Sequence, residues 1–246
     1  MEDSYKAPNA ALQAHEDWRR QRLAELTAED GWLTLVGLEW LDDGVHRLGA
    51  DPACALRVPG GPASWGELTI SGGQARWTPA GSSPRILDDD RAGAPTVVAA
   101  GRISFFLIAR DGRLGLRIRD AEAAARRGFR GIPAFPFDPA WCLDARWDGN
   151  RAGFRGPAGE GTLVPQNPGA GRLHFVIADA TSGRETYGGG RFLFAPAPVA
   201  GEALRLDFNR AINPPCAFTP FAVCPLPPPG NRLPFPVAAG EKTYRA

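Results

Sequence analysis

Cys216 and Cys224 bracket the stretch Ala217 to Val223, and thiols so spaced could bind a soft metal or supply a nucleophile. A metal would ordinarily need four ligands, and His15, His46 and His174 are the only histidines available to complete a set. With no C-x-x-C pair anywhere among Cys54, Cys142, Cys216 and Cys224, neither a zinc site nor a redox motif of that type is expected. Cys216 is instead a candidate nucleophile, provided that folding brings a cation such as Arg191, Arg210 or Lys242 beside it to favour the thiolate. The competing reading is a buried, inert thiol, because free cysteine packs as a small hydrophobe. Glu241 and Lys242 follow Gly240. If that glycine turns them towards Asn231 and Arg232, they become a candidate general base and electrostatic stabiliser; otherwise they form a surface ion pair.

A second constellation runs from Asp179 through Thr181, Ser182 and Gly183 to Tyr187, three glycines and Arg191. As a ligand site it would let an anion approach backbone N–H groups, with Arg191 gripping it bidentately and Tyr187 donating a hydrogen bond. As local structure it is a hairpin whose Arg191 pairs with Asp179 or Asp207. The glycine triplet lacks the strand–loop–helix setting of a phosphate loop.

These groups must be positioned by a proline-dense tail. From Asn209 to Asn231 the prolines remove ladder donors and fix their own φ, so the segment cannot form a central strand. Phe208, Phe218, Phe221 and Leu226 are expected to pin it to the core. Asn209, Asn213, Thr219 and Asn231 then offer hydrogen-bonding groups along a stiff ledge, and Arg191 and Arg232 offer anion anchors. Little entropy would be lost when such a ledge binds something. The expected function is binding of a small anionic molecule or peptide under residues 209–231, possible hydrolysis included. The alternative is a non-catalytic interaction module that uses the prolines as a docking surface for an aromatic groove.

Upstream, Leu12, Trp18, Leu23 and Leu26 recur at helical spacing between Asn9 and Ala28, which predicts an N-terminal helix. Trp32 to Leu41 and Val45 to Gly49 read as two strands joined by a tight Asp42-Asp43-Gly44 turn. Ile103 to Ile108 and Leu114 to Asp120 form a second hairpin about Asp111-Gly112, a pair suited to positive dihedral angles. A short helix at Ala121 to Arg127 and strands near 68–70, 75–78, 143–147, 173–178, 190–194 and 204–208 follow. The Gly- and Pro-rich stretch Gly149 to Gly171 reads as a surface excursion. The fold class is mainly β, a sandwich or partly open barrel with an N-terminal helix and a Pro-rich C-terminal segment packed on the sheet. All 246 residues are read as one domain: a helical arm (1–30), two β regions (31–120 and 121–208) and the tail (209–246).

A net charge of +1 gives no general attraction to nucleic acid, which is excluded as a partner. The sequence has no secretory leader pattern and no apolar run of membrane-spanning length, so a cytoplasmic location with reduced thiols and no membrane partner is expected. No cofactor is implied. The sequence leaves the oligomeric state open.

The chain resembles a known family, the domain of unknown function 1684. The resemblance is carried by Gly31 to Leu38 with Trp40-Leu41, Arg110 to Arg113 with Arg117 and Asp120, and Asp179 with Thr181 to Gly183. It continues in Thr186 to Gly188 with Gly190 to Leu193, Asp207 to Thr219, Cys224 to Pro228, and Asn231 to Leu233 with Gly240 to Lys242. It spans most of the chain and implies no particular reaction. The stretch 149–171 looks short for that family, which implies that one or two strands are missing there.

Overall fold

The computed structural model describes residues 3–168, 171–199 and 202–245. The fold is mainly β, with one long helix, α1 (Asp3–Thr27), at its start. Two compact units make up the chain: Leu26–Phe129, and the residues up to Glu25 together with those from Arg130 onward. No described helix is long and apolar enough to cross a membrane.

In the Leu26–Phe129 unit, β1 (Leu35–Leu41) follows a 3-10 turn at Trp32–Thr34. Then come β2 (Gly44–Gly49), β3 (Leu56–Arg57), β4 (Gly66–Ser71), β5 (Gln74–Pro79), β6 (Arg85–Leu87), β7 (Val98–Ala100), β8 (Ile103–Arg110), β9 (Arg113–Asp120) and the short helix α2 (Ala124–Gly128). They form two sheets, in the orders β1-β9-β8-β7 and β3-β2-β4-β5-β6. Leu48, Leu68, Trp77, Phe105, Leu107 and Leu116 from both sheets share one core, the sandwich arrangement expected of alternating strands. The β8–β9 hairpin turns at Asp111 (φ 51°) and Gly112 (φ 77°), as the Asp-Gly pair predicts.

The hairpin predicted for Trp32 to Gly49 does not form. β1 pairs with β9 and β2 with β4, so Asp42-Asp43-Gly44 is a corner between sheets. The Asp43 carboxylate accepts from the Gly72 N–H at 3.1 Å, fixing the corner to the β4–β5 turn.

The other unit contains β10 (Cys142–Trp147), β11 (Ala152–Gly156), β12 (Gly159–Leu163), β13 (Arg172–Ile177), β14 (Arg191–Pro196) and β15 (Leu204–Asp207). The sheet β12-β11-β10-β15 and the hairpin β13-β14 enclose Leu143, Phe154, Phe175, Leu193, Leu206 and Phe208. Among the described residues no sheet closes into a barrel. The tail completes this core. From Asn231 to Ala239 it alternates buried and exposed residues, placing Leu233, Phe235, Val237 and Ala239 inside while Pro234 and Pro236 face out. That is the period of a strand, realised with a single parallel bridge between Ala178 and Arg232 because the prolines cannot donate to a longer ladder.

Two further expectations change. The stretch 149–171 carries the β11–β12 hairpin rather than a bare excursion; Gly169 and Ala170 within it lie outside the described residues. Its glycines make room for the tail. A Cβ on Gly161 would come 2.7 Å from Leu233 Cδ2, and one on Gly159 2.6 Å from Phe235 Cδ1. Leu226 does not pin the tail, being 69% exposed; Phe208 and Phe218 do, and Pro227 packs against Gly190.

Candidate functional site

At the start of β14, Arg191 has no accessible side-chain surface, and its Nη2 meets Asp179 Oδ2 at 2.8 Å. The same Nη2 donates to the Val237 carbonyl at 3.0 Å, and Nη1 donates to the Ala239 carbonyl. Asp179 Oδ1 accepts from Thr181 N–H (2.8 Å), Thr181 Oγ1 (2.6 Å) and Val237 N–H (3.1 Å). Burial pulls the Arg191 guanidinium below its ordinary pKa, and the Asp179 carboxylate opposes that fall. The β13–β14 hairpin thus presents a buried ion pair to the tail backbone, and the structure adopts the Asp179 pairing that the sequence left open. Arg191 has no surface from which to hold a solvent-borne anion.

The asparagines serve as backbone substitutes. Asn231 Oδ1 accepts from Val164 N–H at 2.8 Å, and its Nδ2 donates to the Val164 and Val176 carbonyls, each at 2.9 Å. Asn209 forms the same two-bond ring with Asp138, at 3.0 and 2.9 Å. Asn213 Nδ2 donates to the Lys242 carbonyl at 2.8 Å, and its backbone N–H donates to Glu241 Oε2 at 2.6 Å. Thr219 Oγ1 accepts from Phe221 N–H at 3.3 Å. Arg232 points outward, exposed between buried neighbours. The sequence-predicted residues therefore divide: Arg191, Asn213 and Glu241 gather at the end of the tail, whereas Asn209 and Asn231 bind other segments.

Glu241 is held on both oxygens, because Arg22 Nε of α1 lies 3.1 Å from Oε1 while Oε2 carries the Asn213 bond. Lys242 lies 3.3 Å from Glu185 Oε2, with its Nζ 4.2 Å above the centre of the Phe135 ring. It also stands on the wall of an open cleft of about 810 Å³ whose other basic members are Arg19, Arg130, Arg184 and Arg245. Among the described residues Glu185 is the one carboxylate side chain lining it. Sequence reading missed these four arginines because segments far apart in the chain supply them, and no local pattern joins them.

A third cluster surrounds Cys216, which sits in the 3-10 turn Pro215–Ala217. Its backbone N–H donates to Cys224 Sγ at 3.3 Å, and the Tyr187 hydroxyl donates to its carbonyl at 3.2 Å. A hydrogen bond from the Cys224 thiol draws Cys216 down to about 6 against the effect of burial, and the Tyr187 hydroxyl helps. Burial, with the bond to Cys216, pushes Tyr187 up to about 12. Cys142 moves the other way: burial first, then the Asp207 carboxylate, raise it to about 11. Among the described residues no three His, Cys, Asp or Glu side chains are grouped to hold a metal ion.

The hydrogen-bonded tail, its clamp and both clustered cysteines fall within one recognisable segment. Residues 150–242 match the family described as Protein of unknown function (DUF1684). The matching segment starts just before β11 and ends at Lys242, so it includes Asp179, Arg191, Cys216, Cys224 and Glu241; the resembling stretches before residue 150 lie outside the match. An uncharacterised protein of Haloarcula marismortui, solved by solution NMR, is 27% identical over 48% of this chain and 79% of its own, with a TM-score of 0.40. No curated protein matches.

Proposed function

We propose that the protein binds a small anionic molecule in the cleft lined by Arg19, Arg130, Arg184, Lys242 and Arg245. The observation that carries this reading is five cationic residues around one concavity, with Glu185 as the sole carboxylate side chain among the described residues that line it. Like charges around a concave, low-dielectric wall concentrate the field and draw anions in, and guanidinium forks match carboxylate or phosphate oxygens. The tail contributes by position: its hydrogen bonds to Asn213 and Arg191 fix the backbone that carries Lys242. The seat lies beside the end of the tail rather than beneath residues 209–231, where Asn209 and Asn231 are committed to backbone partners.

Isothermal titration with inorganic phosphate and with citrate tests this. Binding is expected to weaken as salt rises and to fall at least tenfold in an Arg184→Ala/Arg245→Ala variant of unchanged fold. Equal affinity in that variant would remove the cleft from the site. A second reading, a docking edge for an aromatic-lined partner, draws on exposed Val223, Pro225 and Leu226. Leu226→Asp would then abolish partner capture and leave phosphate affinity untouched.

A further inference from the structure

We propose that Cys216 and Cys224 form a thiol–disulfide exchange site, with Cys216 as the attacking sulfur and Cys224 as the resolving one. The two residues are eight positions apart, yet the 3.3 Å bond from Cys216 N–H to Cys224 Sγ brings the second sulfur onto the first residue. The Cys216 Cα is one bond from that nitrogen, so Cys224 Sγ lies within about 4.8 Å of it, a separation a disulfide can span with little movement. Pro220 restricts the intervening chain, and Pro214, Pro215 and Pro225 fix the backbone on either side of the two cysteines, so closing this loop gives up little conformational freedom. Both residues are half-buried, so neither is sealed inside the core.

The chemistry balances with a low-molecular-weight disulfide, RSSR, as oxidant. The Cys216 thiolate attacks one sulfur, forming a mixed disulfide and expelling RS⁻. Cys224 then loses its proton and attacks Cys216 Sγ, expelling a second RS⁻ as the intramolecular bond forms. Two electrons pass to RSSR, which leaves as two thiols once protonated. Hydrogen bonds from Cys224 and Tyr187 favour the thiolate at Cys216, the form that attacks. At pH 7 a thiol of pKa about 6 is roughly 90% ionised, against roughly 1% at pKa 9. Reduced intrinsic nucleophilicity offsets about twentyfold of that gain, leaving about fourfold in rate. Tyr187 acts through Cys216 and is a positioning residue.

The test is intact and peptide mass spectrometry of the full chain incubated with oxidised glutathione. Trypsin cuts after Arg210 and Arg232, leaving both cysteines on one peptide. That peptide is expected to lose two hydrogens and to resist alkylation. Cys224→Ser should stop at a glutathione adduct on Cys216, and Cys216→Ser should give no internal bond. An independent reading needs no variant: in the reduced native protein, iodoacetamide should label Cys216 ahead of Cys142, with a pH midpoint well below that of an ordinary thiol. Tyr187→Phe should raise this midpoint while leaving the far-ultraviolet spectrum unchanged. A stable glutathione adduct on native Cys216, no reaction at all, or equal labelling of Cys216 and Cys142 would each overturn the proposal.

Discussion

Replacing Arg191 by Met probes the load on the Asp179–Arg191 clamp. The substitution keeps an unbranched apolar stem but leaves the Asp179 carboxylate, which has no accessible surface, without its counter-charge. The Val237 and Ala239 carbonyls lose their guanidinium donors in the same step. Breaking a buried pair from one side costs about 3–5 kcal/mol, a large share of the roughly 5–15 kcal/mol that holds a typical domain. With a urea slope near 2 kcal/mol/M, the midpoint should fall by about 2 M. Trp141 is buried in the same core, but Trp32, Trp40, Trp65 and Trp77 of the Leu26–Phe129 unit also emit, so amide exchange identifies which unit is affected. Amide exchange at Leu233 and Val237, whose N–H groups bond Ala178 and Asp179, should accelerate in parallel. The double variant Asp179→Leu/Arg191→Met removes both charges and should recover much of the loss, because no uncompensated carboxylate remains. If the single variant loses under about 1 kcal/mol, or the double loses the sum of the two singles, the clamp is not an ion pair that organises the tail.

Gly161→Val should destabilise this same unit by about 1–3 kcal/mol through overpacking, since a Cβ there already meets Leu233 at 2.7 Å and Phe154 at 2.8 Å; chemical denaturation measures it, and an unchanged midpoint would contradict the tight seating of the tail. Stability should also decline on mild acidification. Burial lowers His15 and His174 below the ordinary histidine value, so the unfolded chain binds protons more readily. Their contribution is complete above about pH 6.5 and is lost as pH falls towards the lowered folded values; His15→Gln should flatten the melting-temperature profile between pH 7 and 5, and a profile with the native slope would exclude His15 as a source.

Much of the fold was legible where signals are local. Asp111-Gly112 specified its hairpin because the dihedrals it favours are those the turn needs, and both strands lie within a few residues. Asp42-Asp43-Gly44 sends the same message but turns a corner, because the ladder partner of β1 is β9, more than seventy positions away. Glycines between Gly149 and Gly171 suggested loop for a related reason: Leu233 and Phe235, the side chains they accommodate, come far later in the chain. In the candidate site, Asp179 and Arg191 were readable as partners because a hairpin joins them. The asparagines suggested ligand amides, since an amide that copies a strand edge, as Asn231 does for Val164 and Val176, looks identical in sequence to one awaiting a guest.

The bond between Arg22 and Glu241, 219 positions apart in sequence, sets the order in which the molecule can be completed. During synthesis α1 emerges well before its ionic partner, which follows only once the residues between them have been made. Contacts of such separation form slowly because so much chain must be gathered before they repay its ordering. The Leu26–Phe129 unit, whose strands are all made early, can settle during translation. The core side chains Leu233, Phe235, Val237 and Ala239 follow every strand of their unit, so its apolar interior stays open to water until they too have been made.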